Sequence, residues 1–186
     1  MGRAEQTKRR LQEHAVRLFA AGGYDNVTVE EIASNVGVSH MTFFRHFPTK
    51  VSVLLDDPFD PVVGEMVAAT DVDLPAIDRI CSGLLDAWAK VDEPDDEMTR
   101  TRIRLLIQNQ DLIPHAWANN RRTEEIVVDA LVTTGVPALE ARIAAGAVMG
   151  AMMAALIDWG EHPDSGPLGD RVLLALTQLS PGAHYG

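Results

Sequence analysis

Apolar positions along this chain recur with the spacing of helices rather than the alternation of strands. Leu11, Ala15, Leu18 and Phe19 stand at i, i+4, i+7 and i+8, one face of a helix that runs out at Gly22 and Gly23. Glycine there can take the left-handed cap conformation. Thr28 and Glu31 then carry the spacing of a capping box, in which the hydroxyl accepts from an orphan amide and the carboxylate reaches back. Behind them Val29, Ile32, Ala33 and Val36 keep helical period. Gly37 stops this second helix at a turn that needs positive φ, and Ser39 can cap a third. Val38, Phe43 and Phe47 face inward from that third helix, leaving His40, Met41, Thr42, Arg45 and His46 outward until Pro48 ends it.

Thr49 can cap a fourth helix through Val51, Val53, Leu54 and Leu55. Pro58 and Pro61 interrupt the run, and Val62 to Ala69 resumes it. Further helices are predicted near residues 74–91, 97–109, 113–134, 138–161 and 168–179, with no convincing strand and no internal repeat. The expectation is an all-α protein: a three-helix headpiece over residues 1–48 joined to a larger helical body over 49–186.

Composition agrees with a folded chain, since 46% of the 186 residues are apolar. The single cysteine, Cys81, cannot close an internal disulfide, and no charged-then-apolar N-terminal segment signals export, so a cytoplasmic location is expected. The weakly polar stretch from Ile143 to Trp159 is rich in Ala and Gly and lacks the roughly 20 strongly apolar residues of a membrane span. A helix packed among helices explains it, and no membrane partner is expected.

A net charge of −11 opposes nucleic-acid binding, which depends on neutralising phosphates. Its distribution reverses that reading. Residues 1–50 hold seven basic groups against five acidic ones, a balance of +2, whereas residues 51–186 hold nine against 22, a balance of −13. Only the N-terminal part suits a polyanion.

Helix, glycine turn, helix is the arrangement that places a second helix in the ~12 Å wide major groove while the first braces it. The stretch from Thr28 to Phe47 has those lengths. The wider pattern is Leu18-Phe, Gly23-Tyr, Thr28-Val-Glu-Glu-Ile-Ala, Gly37-Val-Ser and Thr42-Phe-Phe-Arg-His-Phe-Pro-Thr-Lys. It resembles the headpiece of the tetracycline-repressor (TetR) family over about residues 8–55. The resemblance implies a one-component transcriptional repressor that binds a palindromic double-stranded operator as a homodimer. It places Ser39 to His46 in the major groove, Thr42 on phosphate or a base, and His46 and Lys50 on phosphate. The DNA-facing set is Thr28, Ser39, His40, Met41, Thr42, Phe44, Arg45, His46 and Lys50. Two residues depart from the family pattern. Phe44 stands where tyrosine is usual and loses a hydroxyl contact, and Met41 stands where a small residue is common and can press on a thymine methyl.

The body then has to dimerise, because one headpiece reads only a short half-site. The Ala- and Gly-rich helix from Leu139 to Trp159 and the helix from Leu168 to Leu179 match the family's dimer-forming pair. Pockets in helical bundles are mostly apolar with a few orienting polar groups, which nominates Trp88, Ile103, Ile107, Trp117, Met149, Met153 and Asp158 for a ligand, with Leu106 and Trp159 among the surrounding apolar groups. The Thr42–Lys50 run followed by Asp56-Asp also looks like an actinobacterial group that includes regulators of mycofactocin gene clusters, some responsive to acyl-thioesters. That implies a lipophilic inducer. No phosphate loop, nucleophile elbow or metal motif is present, so neither catalysis nor a cofactor is expected. The alternative is a helical small-molecule-binding or protein-interaction module whose headpiece binds DNA only weakly.

Overall fold

A computed structural model describes residues 2–56, 60–90 and 96–180, and these form ten helices. They are α1 (Arg3–Gly22), α2 (Val29–Val36), α3 (His40–His46), α4 (Ser52–Leu55) and α5 (Asp60–Ala68). There follow α6 (Ala76–Lys90), α7 (Asp96–Gln108), α8 (Ile113–Thr133), α9 (Ala138–Glu161) and α10 (Leu168–Leu179). No strand occurs among the described residues. The fold is all-α, as the apolar spacing predicted. The interruption expected at Pro58 lies outside the described residues.

The helix ends sit where the sequence punctuates them. Gly37 closes α2 in the left-handed conformation (φ 76°, ψ 32°), its N–H donating to Ala33 and Ser34 carbonyls. Gly23 differs from expectation: φ is positive (83°), but ψ of 146° takes it out of the left-handed helical well into another region open essentially to glycine alone. The chain leaves α1 toward a short turn in which the Asn26 side chain donates to the Gly22 carbonyl at 2.9 Å. Asn26 therefore takes over part of the capping that a left-handed glycine would perform.

The helices collect into two compact units, residues 1–56 with 97–116, and residues 57–96 with 117–186. In the first, Leu11, Ala15, Phe19, Ile32, Phe43, Phe47 and Leu54 are almost wholly buried. Leu106 and Leu112 join the same cluster, with Met98 and Leu105 against it. Leu106, expected among the apolar groups around a pocket, is buried in the headpiece core. A helical period shows that one face is buried but not against which neighbour.

In the second unit α6 packs on α5, α9 and α10, and α10 packs on α9. Gly83 permits the closest approach. A Cβ there would fall 2.7 Å from Val67 Cα and 2.8 Å from Val67 N, so α6 and α5 touch backbone to backbone. Arg79 is fully buried and donates to the hydroxyls of Thr70 (3.1 Å) and Thr134 (2.8 Å). Its charge thus sits beside the C-terminal ends of α5 and α8, where helix dipoles favour a cation. Trp159, fully buried, donates its ring N–H to the Gly166 carbonyl at 2.9 Å and so serves the α9–α10 corner. Burial pushes the Cys81 thiol up to about 11, which leaves it protonated and unreactive near neutrality.

Candidate nucleic-acid interface

The helix-turn-helix is built from local bonds that its own residues supply. Thr28 Oγ1 accepts from Glu31 N at 3.2 Å while the Glu31 carboxylate accepts from Thr28 N at 2.7 Å, completing the capping box. Those hydrogen bonds, with a smaller contribution from the charge of Lys50, hold the Glu31 carboxyl below the ordinary glutamate range. Past the Gly37 turn, Val38 N donates to Ala33 O at 2.9 Å, which fixes the angle at which α3 departs. Ser39 Oγ then accepts from Thr42 N at 3.2 Å, and the two hydroxyls meet at 3.0 Å. The Thr42 hydroxyl is therefore held by the cap.

From that start α3 sorts its side chains. Phe43 and Phe47 are buried with ring centroids 5.5 Å apart. On the opposite side Met41 is 67% exposed and Phe44 42%, the latter meeting Phe43 edge-on at 5.6 Å. Ser39, His40 and Arg45 are exposed, while Thr42 and His46 are half-buried. Ser39, Met41, Thr42, Phe44 and Arg45 line one shallow open surface. These five of the nine nominated residues come together. Thr28 stands apart at the N-terminus of α2, and Lys50 lies in the turn that leads into α4.

Reciprocal bonds between Thr49 and Ser52 fix that turn: Thr49 N donates to Ser52 Oγ at 3.1 Å, and Ser52 N to Thr49 Oγ1 at 3.2 Å. Lys50 Nζ lies 4.2 Å from the Tyr24 ring centroid and 5.5 Å from that of Phe19. Burial draws the Lys50 pKa down, while Asp25 and Glu31 oppose the shift.

Three other basic residues of the headpiece bond to groups within it. Lys8 pairs with Asp56 at 2.8 Å, and Arg9 with Glu13 at 2.9 Å. Arg10 donates to the Val36 carbonyl at 3.3 Å, closing the C-terminal end of α2. Gln12 reaches the carbonyls of Val53 (3.1 Å) and Asp56 (2.9 Å), so α1 clasps α4 through polar contacts that no local spacing announces.

The nominated ligand residues are divided. Ile103 and Ile107 lie half-buried on α7 in the first unit, whereas Trp88, Trp117, Met149, Met153 and Asp158 belong to the second. Met149 is buried, Trp117 is 48% exposed, and the exposed Asp158 carboxylate stands 3.3 Å from His162. An open apolar hollow in the second unit is lined instead by residues including Pro75, Ile77, Pro137, Leu139 and Ile143.

Helix count, the glycine turn and the outward side chains of α3 define a helix-turn-helix protein with a helical body. Known proteins agree. The pattern describing bacterial regulatory proteins of the tetR family matches residues 11–56, and that describing the MftR C-terminal domain matches residues 74–184. The chain belongs to the TetR family of transcriptional regulators, DNA-binding proteins rather than enzymes. A mycofactocin biosynthesis transcriptional regulator of Mycobacterium tuberculosis, MftR, is 28% identical over 128 residues, 67% of this chain and 64% of that protein. The regulator TcmR of Streptomyces glaucescens is 42% identical over 67 residues, which span 36% of this chain and 29% of TcmR. Both matches thus cover less than two thirds of the relative. Among solved structures, the SmeT–triclosan complex superposes with a TM-score of 0.62 at 18% identity, over 97% of this chain and 95% of that one. The fatty acid degradation regulator FadR of Bacillus halodurans gives 0.57 at 18% identity, over 100% and 99%. At these identities the likeness concerns the fold.

Proposed function

We propose that the protein is a one-component repressor that binds a palindromic operator as a homodimer and is released by a lipophilic small molecule. The observation that carries the reading is the outward set on α3, with Met41 and Phe44 left exposed beside Ser39, Thr42 and Arg45. Met41 and Phe44 present apolar surface beside the polar groups of Ser39, Thr42 and Arg45, a combination suited to thymine methyls and base edges in a major groove. Residues 1–48 read the DNA and residues 49–186 dimerise and bind the inducer, in the cytoplasm. His46 and Lys50 position the protein on phosphates; Met41 and Thr42 read the bases.

Support for a dimer comes from α9 and α10. Leu139 and Ile143 are 72% and 63% exposed, Ala147, Gly150 and Ala154 continue outward along α9, and Leu174 on α10 is 48% exposed. By length and composition α9 could also cross a membrane, but its packing against α6 and α10 suits the helical body better. A ligand favouring a body state with wrongly spaced headpieces lowers DNA affinity, and DNA lowers ligand affinity by the same factor.

The test is a footprint on the promoter region beside the protein's own gene, followed by a salt titration of the protected duplex. Sequence-selective protection and a log-linear fall of affinity with salt are expected. Absence of any selective footprint at low salt would sink the repressor reading and leave a helical module with a weakly binding headpiece. The inducer step is checked with a straight-chain acyl-thioester as probe: reciprocal titrations with DNA and probe should show equal and opposite coupling.

A further inference from the structure

Lys50 is held in an unusual way for a surface lysine. Its ammonium lies over the face of Tyr24 at 4.2 Å, with Phe19 at 5.5 Å. Those two rings support each other at a centroid distance of 5.0 Å, and Phe19 is part of the buried core while Tyr24 packs half-buried against it. The backbone beneath Lys50 is fixed by the Thr49–Ser52 pair. Among the described residues no carboxylate closes to within 4.0 Å of the ammonium, although Asp25 and Glu31 are near enough to favour its charge.

An aromatic face differs from a carboxylate as a partner for a cation. It attracts through its quadrupole and restricts the rotamers of a flexible stem, but it leaves the charge un-neutralised. A lysine in an ion pair must break that pair to meet a phosphate. A lysine seated on a ring keeps its charge available and has already given up much of its freedom.

We propose that Tyr24, backed by Phe19, is a positioning residue for phosphate recognition, whose ring holds the Lys50 ammonium ready oriented for a phosphate of the DNA backbone. The inference rests on the reading above that Lys50 meets phosphate, and it adds a residue that does not itself touch DNA. Tyr24 belongs to the helix 1–2 connection, so the arrangement lets the core of the headpiece set the reach of a side chain near α4.

The experiment is a double-mutant cycle on the full-length protein with Tyr24→Leu and Lys50→Ala, read by fluorescence anisotropy on a labelled duplex that the protein itself selects from random sequence. Lys50→Ala should weaken binding and flatten the salt dependence by about 0.9 in log–log slope for each half-site. Tyr24→Leu should weaken binding by about 5- to 25-fold when two half-sites are engaged, as the cost of immobilising one freed, rotamer-rich side chain at each half-site implies. In the Lys50→Ala background the same change should cost less than about twofold, because nothing remains to be positioned. Tyr24→Phe, which keeps the ring face, should restore binding. An upfield ring-current shift of the Lys50 ε-protons, present in the parent and lost in Tyr24→Leu, reports the seat without DNA. Where Tyr24→Leu does not fold by circular dichroism, Tyr24→Met takes its place in the same cycle.

Equal losses from Tyr24→Leu in both backgrounds, or no loss in either, overturn the positioning role and leave the phosphate contact standing. If Lys50→Ala changes neither affinity nor slope, the phosphate contact falls and the positioning role falls with it.

Discussion

Replacing Gly83 by alanine sets two effects of known size against each other. Alanine favours a helix over glycine by about 1 kcal/mol, so on propensity alone the change stabilises α6. The added methyl carbon, however, would lie 2.7 Å from Val67 Cα, 2.8 Å from Val67 N and 2.9 Å from Val67 Cγ2. The first two are backbone atoms, and Val67 is fully buried with its carbonyl accepting from the Thr70 hydroxyl at 2.6 Å, so it cannot swing aside. Restoring ordinary contact requires α5 and α6 to part by roughly 1 Å, a gap that forfeits about a quarter to a half of the dispersion energy of each contact along the seam. Overpacking of this kind costs about 1–3 kcal/mol or more, and a clash against backbone belongs at the upper end. The net expectation is about 1–2 kcal/mol of destabilisation. For a chain of this size that lowers Tm by about 2–8 °C, measured by far-UV circular dichroism on heating. Gly150, where a Cβ meets nothing within 4 Å of its own chain, cannot serve as the control for propensity because it lies on the proposed dimer face. A Gly83→Ala protein as stable as the parent would refute the reasoning, since propensity would then have won over the backbone contact.

If α9 faces its copy, Gly150→Ala should raise the dimer dissociation constant at least about tenfold by sedimentation equilibrium, and an unchanged constant would move the interface elsewhere. The capping box predicts that Glu31 titrates below the ordinary glutamate range in an NMR pH series, and that Thr28→Ala returns it toward that range. Because that pKa is lowered on folding, its contribution to stability is present above the unfolded value and is lost as pH falls through the folded one; Glu31→Gln should remove this acid-side component of the stability profile. Met41→Ala should leave Tm unchanged, as the side chain is 67% exposed, yet alter which bases a random pool yields; an identical selected sequence would remove Met41 from base reading.

Much of the fold could be read in advance because its boundaries are local. The capping box at Thr28, the φ-demanding Gly37 and the helix-stopping Pro48 each act within a few residues, and the period of Phe43 and Phe47 against Met41 and Phe44 needed nothing beyond one helix. What stayed hidden is what depends on distant partners. Lys8 counts among the basic groups of the N-terminal part, and its pairing with Asp56, 48 positions along the chain, has no local signal. Leu106 showed the spacing of a buried face and turned out to complete the headpiece core. The seat of Lys50 on Tyr24 joins residues 26 apart, and the bare face of Gly83 is needed only because Val67 lies against it. The nominated ligand residues are divided between the two units, because any apolar side chain at helical spacing fits both a core and a pocket.

The engagement of Lys8, Arg9 and Arg10 within the headpiece bears on how such a regulator searches a chromosome. Lys8 and Arg9 must each loosen a carboxylate, and Arg10 a carbonyl bond, before any of the three can turn to a phosphate, so each gains less from DNA than an unengaged cation would. The expected consequence is a weak grip on arbitrary sequence, read as a shallower salt slope on random duplex than on the sequence the protein selects.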